Sequence, residues 1–465
     1  MSGPIESSAE AVATARHRCS PRETPPRRDL QAPDKDQMTM KRRTIAGVGV
    51  GVLALTFGAL HAWTRPTALA PAMTALPAPS SGMLAAGARV VALGDCMVCH
   101  TAKDGAPYAG GLGLATPFGT IYSTNITPDP DTGIGRWSAE AFRRALREGV
   151  ARDGHLLYPA FPYIHYTRMS DGDIDLAYRY LMSRTPVRTT QPANDLLFPL
   201  NFRPLLAFWN MLYLRPGQPG TAAPAADQLA RGRYLVDTLG HCGSCHSGLN
   251  LMGGERKPAF QGGNIDGWDA PALTRLANGP VPWRQQELVD YLRGGLSLGH
   301  GAAKGPMRPV TEHLATVPRE DVEAIAAYLM SIQAPSAGAD GGQAAPPAAM
   351  AAASDAAGAA GARLFAAACA SCHAASAPLT RINGRPGLAL SSALHGARPD
   401  NFIQTVLHGV PWDPASPVYM PPFADVLDDE QVAQLAAYLR TGIAARPAWH
   451  DVARTSAKLR KETRE

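Results

Sequence analysis

One pentapeptide occurs three times in this chain: Cys96-Met-Val-Cys-His100, Cys242-Gly-Ser-Cys-His246 and Cys369-Ala-Ser-Cys-His373. Composition alone predicts about 0.003 occurrences of C-x-x-C-H in 465 residues, so the repetition is not chance. The spacing has a chemical reading. Cysteines three apart share one helical turn, where both thiols reach the vinyl groups of one porphyrin as thioethers. The adjacent histidine then meets the iron as proximal ligand. Two other readings compete. Structural zinc needs four ligands at one site, usually from C-x-x-C pairs close in sequence. Here the pairs lie more than a hundred residues apart. A redox dithiol does not require the histidine. Three covalently bound haem c groups are therefore expected, on Cys96 and Cys99, Cys242 and Cys245, and Cys369 and Cys372, with His100, His246 and His373 on the irons.

Six of the seven cysteines belong to these motifs, and the seventh, Cys19, is alone in a polar stretch. No disulfide framework is available. The formal charge is +5 and no long basic run lies beyond the N-terminal part, so nothing points to nucleic acid. No G-x-G-x-x-G after a strand, zincin or nucleophile-elbow motif is present, so substrate chemistry has no visible site.

Residues 1–39 are polar, aperiodic and rich in Pro, Arg and Ser, and read as a disordered tail. Met38 and Met40 are alternative starts. Lys41-Arg42-Arg43 precedes an uncharged apolar run from Thr44 to Trp63, about 20 residues, long enough to span a bilayer. The basic cluster orients the rest of the chain to the periplasmic face of the inner membrane. Residues 40–64 are thus an anchor, the rival being a cleaved signal segment with Ala68-Leu69-Ala70 as its site. The Pro/Ala-rich stretch 64–83 reads as a linker. Haem units are expected at 84–190, 225–334 and 359–445, with a flexible spacer at 335–358 and, at 446–465, a C-terminal tail that is solvated or forms a short helix.

Each unit repeats one order of features. The element before each cysteine pair carries Gly87, Gly232 or Gly361. Each unit closes on a helical pattern in which a branched residue and a tyrosine stand six apart: Ile174 and Tyr180, Val322 and Tyr328, Val432 and Tyr438. Ser170 and Asp428 are placed to cap the first and third of these helices, and Pro318 suits the first turn of the second. Units one and two also align without a gap. His100 to Trp137 and His246 to Trp283 both span 37 residues, and each Trp is followed 12 residues later by Gly149 or Gly295. The tryptophans read as core, and helices around Phe142–Leu146 and Leu288–Leu292 should pack on the haem. The pattern resembles the class I cytochrome c fold: all-α, three tandem haem domains after an N-terminal anchor.

A low-spin electron-transfer haem needs a sixth ligand. Met307, after Gly305-Pro306, and Met420, in Tyr-Met-Pro-Pro, sit in Pro-rich loops ahead of the closing helices, where a core-filling methionine is less expected. In the first unit the position 61 residues after the histidine, matching Met307, is Phe161, which cannot bind iron. His165 is the tentative ligand there, with Met169 and an open iron as alternatives.

The stretch Thr116-Pro-Phe-Gly-Thr-Ile-Tyr-Ser-Thr-Asn125 through Gly135-Arg-Trp137 resembles the first haem domain of triheme cytochrome c subunits of membrane-bound bacterial dehydrogenases, those of gluconate and alcohol dehydrogenase among them. The resemblance runs from about 84 to 445. Those subunits usually have Met where this chain has Phe161. Tyr158-Pro-Ala-Phe-Pro-Tyr163 with His165, the run His300-Gly-Ala-Ala-Lys-Gly-Pro-Met307, and Arg446-Pro-Ala-Trp449 resemble instead the subunits paired with molybdenum hydroxylases for nicotinate, isoquinoline or aldehydes. The resemblance implies an electron-transfer subunit. Molybdenum and iron–sulfur subunits would oxidise substrate, and quinone or a terminal oxidase would accept the electrons. A gluconate- or alcohol-type partner, a peroxidase-like enzyme with an open first haem, and a freely diffusing carrier are the rivals.

Overall fold

Three glycines set the architecture. In each unit the helix before the cysteine pair crosses the closing helix at Gly87, Gly232 or Gly361, and an added Cβ there would lie 2.7 Å from Cβ of Tyr180, Tyr328 or Tyr438. It would also run into the backbone of Leu176, Ala324 or Gln434. Only a residue without a side chain lets the helices approach this closely. The crossing pairs are Ser81–Leu93 with Asp171–Met182, Gln228–Tyr234 with Arg319–Ser331, and Ala356–Ala368 with Asp429–Tyr438. The same glycine-mediated helix crossing thus recurs in all three units.

This computed structural model describes residues 66–72, 77–217, 227–335, 356–377, 387–411 and 418–462, with Val48, Gly51 and Gly58 as isolated helical positions before them. The expected 1–39 tail, Cys19, most of the Thr44–Trp63 run and spacer residues 336–355 lie outside the described residues. Among the described residues no helix is long and apolar enough to cross a membrane.

The local signals explain the helix ends. Ser170 accepts a hydrogen bond from the Asp173 amide, and Asp428 forms a capping box with Gln431. Pro318 occupies the cap position itself, one residue before the helix. The helices Ala139–Glu148 and Gln285–Gly294 bury Phe142 and Leu146, and Leu288 and Leu292. Gly149 and Gly295 end them in the left-handed region at φ 65° and 66°.

Three expectations change, and at the C-terminus the helical alternative holds. The fold is not purely helical: Gly113–Thr116, Gly119–Tyr122 and Asp195–Leu196 form a three-stranded antiparallel ribbon, and two hairpins pair Gly263–Ile265 with Trp268–Ala270 and Leu296–Ser297 with Gly301–Ala302. These ribbons tie down long loops whose backbone would otherwise lack partners. The stretch read as a linker is docked at 66–72, where the Leu69 amide donates to the Arg152 carbonyl (2.8 Å) and the Ala72 amide to that of Arg136 (3.0 Å). Residues 191–217, left unassigned between units, add a helix at Leu205–Tyr213. The C-terminal tail is a docked helix, Val452–Glu462. Its Leu459 is buried and its Arg460 guanidinium donates to Asp429 and to the carbonyls of Ala424 and Leu427.

The core is divided unevenly. Val90, Leu93, Phe142 and Leu181 of the first unit are continuous with Leu235, Leu288, Leu292 and Leu329 of the second. The third unit packs its own cluster, centred on Ile403, Leu407 and Leu435.

Candidate functional site

Each cysteine pair lies on a single short turn at the end of its unit's first helix: Cys96–Cys99, then Cys242 into Gly243–His246, then Cys369 into Ala370–His373. The six cysteines are half-buried. Burial, with Asp95 and the neighbouring thiol adding to it, pushes Cys96 up to about 12. Cys242 and Cys245 rise to about 12, chiefly through burial. A redox dithiol needs the opposite, a thiol lowered toward neutrality. Among the described residues no three His, Cys, Asp or Glu side chains gather as metal ligands, so zinc gains no support.

The histidines fit haem iron. His100 Nδ1 lies 2.7 Å from the Thr124 carbonyl oxygen, and His246 Nδ1 lies 2.7 Å from that of Pro271. A ring that donates from Nδ1 keeps its Nε2 lone pair free, and such a backbone partner orients a metal-bound imidazole. Burial lowers the pKa of both rings, which keeps them neutral as ligation requires. His373 ends the corresponding turn in the third unit. Met307 starts the helix Met307–Ala315 and packs half-buried on the shared core. Met420 is held by a two-way backbone bridge to Val410, 2.8 and 3.0 Å.

His165, expected as the first unit's sixth ligand, is buried, with Nδ1 2.9 Å from the Asp237 carbonyl oxygen and Nε2 2.6 Å from Glu255 Oε1, so both ring nitrogens have partners here. The ring also abuts the second unit's motif, since a Cβ on Gly243 would lie 3.2 Å from His165 Cε1. Met169 is buried in the shared core. Phe161 packs against Tyr166, ring centres 5.6 Å apart.

His165 belongs to a seam that brings the first two motifs together. Tyr166 Oη donates to the Gly94 carbonyl at 2.8 Å, and His241 Nε2 lies 3.3 Å from the same oxygen. Asp95 pairs with His313, and buried Asp321 is held by Arg89 of the first unit (2.5 Å) and Arg231 of the second (3.0 Å). Sequence reasoning named none of Asp95, Asp321, Glu255 or His313. These partners lie up to 232 positions apart, and no local pattern joins them. The second and third units meet differently. Asn401 exchanges hydrogen bonds with the Asp269 backbone at 2.7 and 2.8 Å, and Lys304 Nζ donates to Thr405 Oγ1 at 3.2 Å. Burial lowers that ammonium to about 8. His300 stacks on Trp283 at 3.5 Å with its Nδ1 buried and without a hydrogen-bond partner.

Paired thiols, neutral histidines with a free nitrogen and helices crossed at glycine define a c-type cytochrome, whose haem supplies a one-electron couple when bound. Residues 229–333 match the cytochrome c family, and residues 356–439 match cytochrome c oxidase, cbb3-type, subunit III. The chain is 34% identical to the cytochrome c subunit of the quinone alcohol dehydrogenase of Gluconobacter oxydans, over 89% of this chain and 87% of that one. It is 36% identical to the gluconate 2-dehydrogenase cytochrome c subunit of Pantoea cypripedii, over 75% of this chain and 82% of that one. It therefore belongs to the family of cytochrome c subunits of bacterial dehydrogenases. Identity rises to 48%, over 82% of this chain, with a nicotinate dehydrogenase subunit of Pseudomonas putida, of whose length the chain spans only 32%.

Proposed function

We propose that this chain is a membrane-anchored triheme cytochrome c that relays electrons from a molybdenum- and iron–sulfur-containing hydroxylase to quinone or a terminal oxidase. Its three haems sit in three domains, on Cys96, Cys99 and His100; on Cys242, Cys245 and His246 with Met307; and on Cys369, Cys372 and His373 with Met420. The apolar run 44–63 holds the haem domains at the periplasmic face of the inner membrane. The observation that carries the relay is the seam that holds two attachment motifs together: His241, beside Cys242, and Tyr166 both meet the carbonyl of Gly94, two residues before Cys96. Support for the hydroxylase partner is the higher identity to the nicotinate dehydrogenase subunit than to the alcohol and gluconate dehydrogenase cytochromes. Affinity purification from membranes followed by mass spectrometry tests it. Molybdenum and iron–sulfur subunits in the eluate support it, and a sugar or alcohol dehydrogenase subunit overturns it.

One observation favours a second reading for the first haem. Phe161 has no donor atom and His165 spends both nitrogens elsewhere. An open first iron then reacts with small ligands, as in a peroxidase. A high-spin signal from one haem in three with peroxide turnover supports that reading. All-low-spin spectra without turnover leave a relay alone.

A further inference from the structure

The segment joining the first two units is unusually apolar on its outside. Of sixteen exposed large hydrophobic side chains among the described residues, seven fall within 197–212 and two more are Leu251 and Met252. Phe198 is 87% exposed and Leu251 96%. The helix Leu205–Tyr213 is apolar on both sides. Leu206 and Trp209 face inward and are buried, and Trp209 Nε1 donates to the Met252 carbonyl at 2.9 Å, which brings the 251–252 loop alongside. Phe208, Met211 and Leu212 face outward. A helix that is apolar all round needs cover on both sides, and a patch of this kind marks a docking surface.

Two observations say what covers it. First, no Asp or Glu occurs from 196 to 226, and the only charges are Arg203 and Arg215. Arg203 lies 4.6 Å over the Tyr158 ring, an Arg-and-aromatic border of the kind that sits at lipid headgroups. Second, Pro66, which follows the apolar run in the sequence, lies beside this surface. Pro66 packs on Gly154, and two residues further Leu156 packs with Leu206. Trp63 precedes Pro66 by three residues, roughly 10 Å of extended chain.

We propose that the surface formed by residues 197–212 and 251–252 rests on a phospholipid bilayer, sunk into the headgroup–acyl boundary as a second attachment beside the 44–63 run. This rests on the membrane location proposed above. Two signals are what stable attachment needs when one is weak or cleaved. Held this way, the pair of haem units has one fixed face toward the membrane.

The test uses the full-length, haem-loaded chain with Cys19 changed to Ser, in vesicles of phosphatidylcholine and phosphatidylglycerol. Spin labels are placed at Phe208→Cys and Leu251→Cys, with Arg454→Cys on the last helix as the solvent reference. The expected result is loss of collisions with a water-soluble nickel chelate and a gain of collisions with oxygen at 208 and 251, with 454 unchanged. A combined Phe198→Ser, Phe208→Ser and Met211→Ser variant returns the label at 251 toward water. Vesicle-bound protein whose labels at 208 and 251 are as aqueous as 454 overturns the surface and leaves the membrane location standing. Protection that arises only on adding dehydrogenase subunits also overturns it, in favour of a protein interface. A chain that does not float with the vesicles ends both.

Discussion

The first two C-x-x-C-H units and the third are built on one plan but joined in two ways. Units one and two share a continuous apolar core and a seam of buried ion pairs, whereas the third folds around its own cluster and meets the second through hydrogen bonds such as those of Asn401 and Lys304. The difference teaches where cooperativity should lie. A shared core should make the first two attachment motifs unfold together, and the third unit should be able to unfold alone.

The largest effect should come from removing attachment. Replacing Cys242 and Cys245 by Ala strips the second unit of its haem and destabilises the first with it. The same change at Cys369 and Cys372 removes one haem and leaves the other two in place. Intact mass with hydrogen exchange separates these outcomes, and equal damage to the first unit from both variants breaks the comparison.

Next come the crossings. A methyl at Gly232 or Gly361 overpacks its helix pair, costing about 3 kcal/mol. Gly232→Ala should lower the unfolding midpoint of both leading units in denaturant, and Gly361→Ala that of the third alone.

The seam sharpens the comparison further. Asp321 is buried between two arginines, and Asp321→Ala leaves Arg231 unpaired in the interior while Arg89 rehydrates. The expected cost is about 2 kcal/mol, below the usual range for a fully buried pair. It should appear in the melting of units one and two, and not in that of unit three.

The smallest effect is on pH dependence. Burial raises the Glu255 carboxyl, but the hydrogen bond and charge of His165 outweigh it, so the folded value lies below the ordinary one. Its stabilisation is therefore complete above the unfolded glutamate range, near about 4.3, and is lost as pH falls through the folded value. Glu255→Gln should flatten the acid limb of the stability curve for the first two units, followed by thermal melts between neutral and acid pH.

What the sequence disclosed was what is local or repeated. The motifs stand in fixed order, and Gly87, Gly232 and Gly361 meet the tyrosines whose helical spacing marked the closing helices. Trp137 and Trp283 lead into the helices their spacing predicted. The seam was invisible because it joins residues such as Asp95 and His313 that share no pattern. The contact of His165 with Glu255, 90 positions away, was invisible for the same reason. The C-terminal stretch was legible as a tail or short helix, but not the docking of Arg460 on Asp429 and on the Ala424 and Leu427 carbonyls.

The central claim is that porphyrin is bonded to this chain at three places. Intact mass of the protein, matured with working attachment machinery, should exceed the polypeptide by three haem groups, and peptide mapping should find one on each cysteine pair. Two groups, with one cysteine pair recovered unmodified, would contradict it.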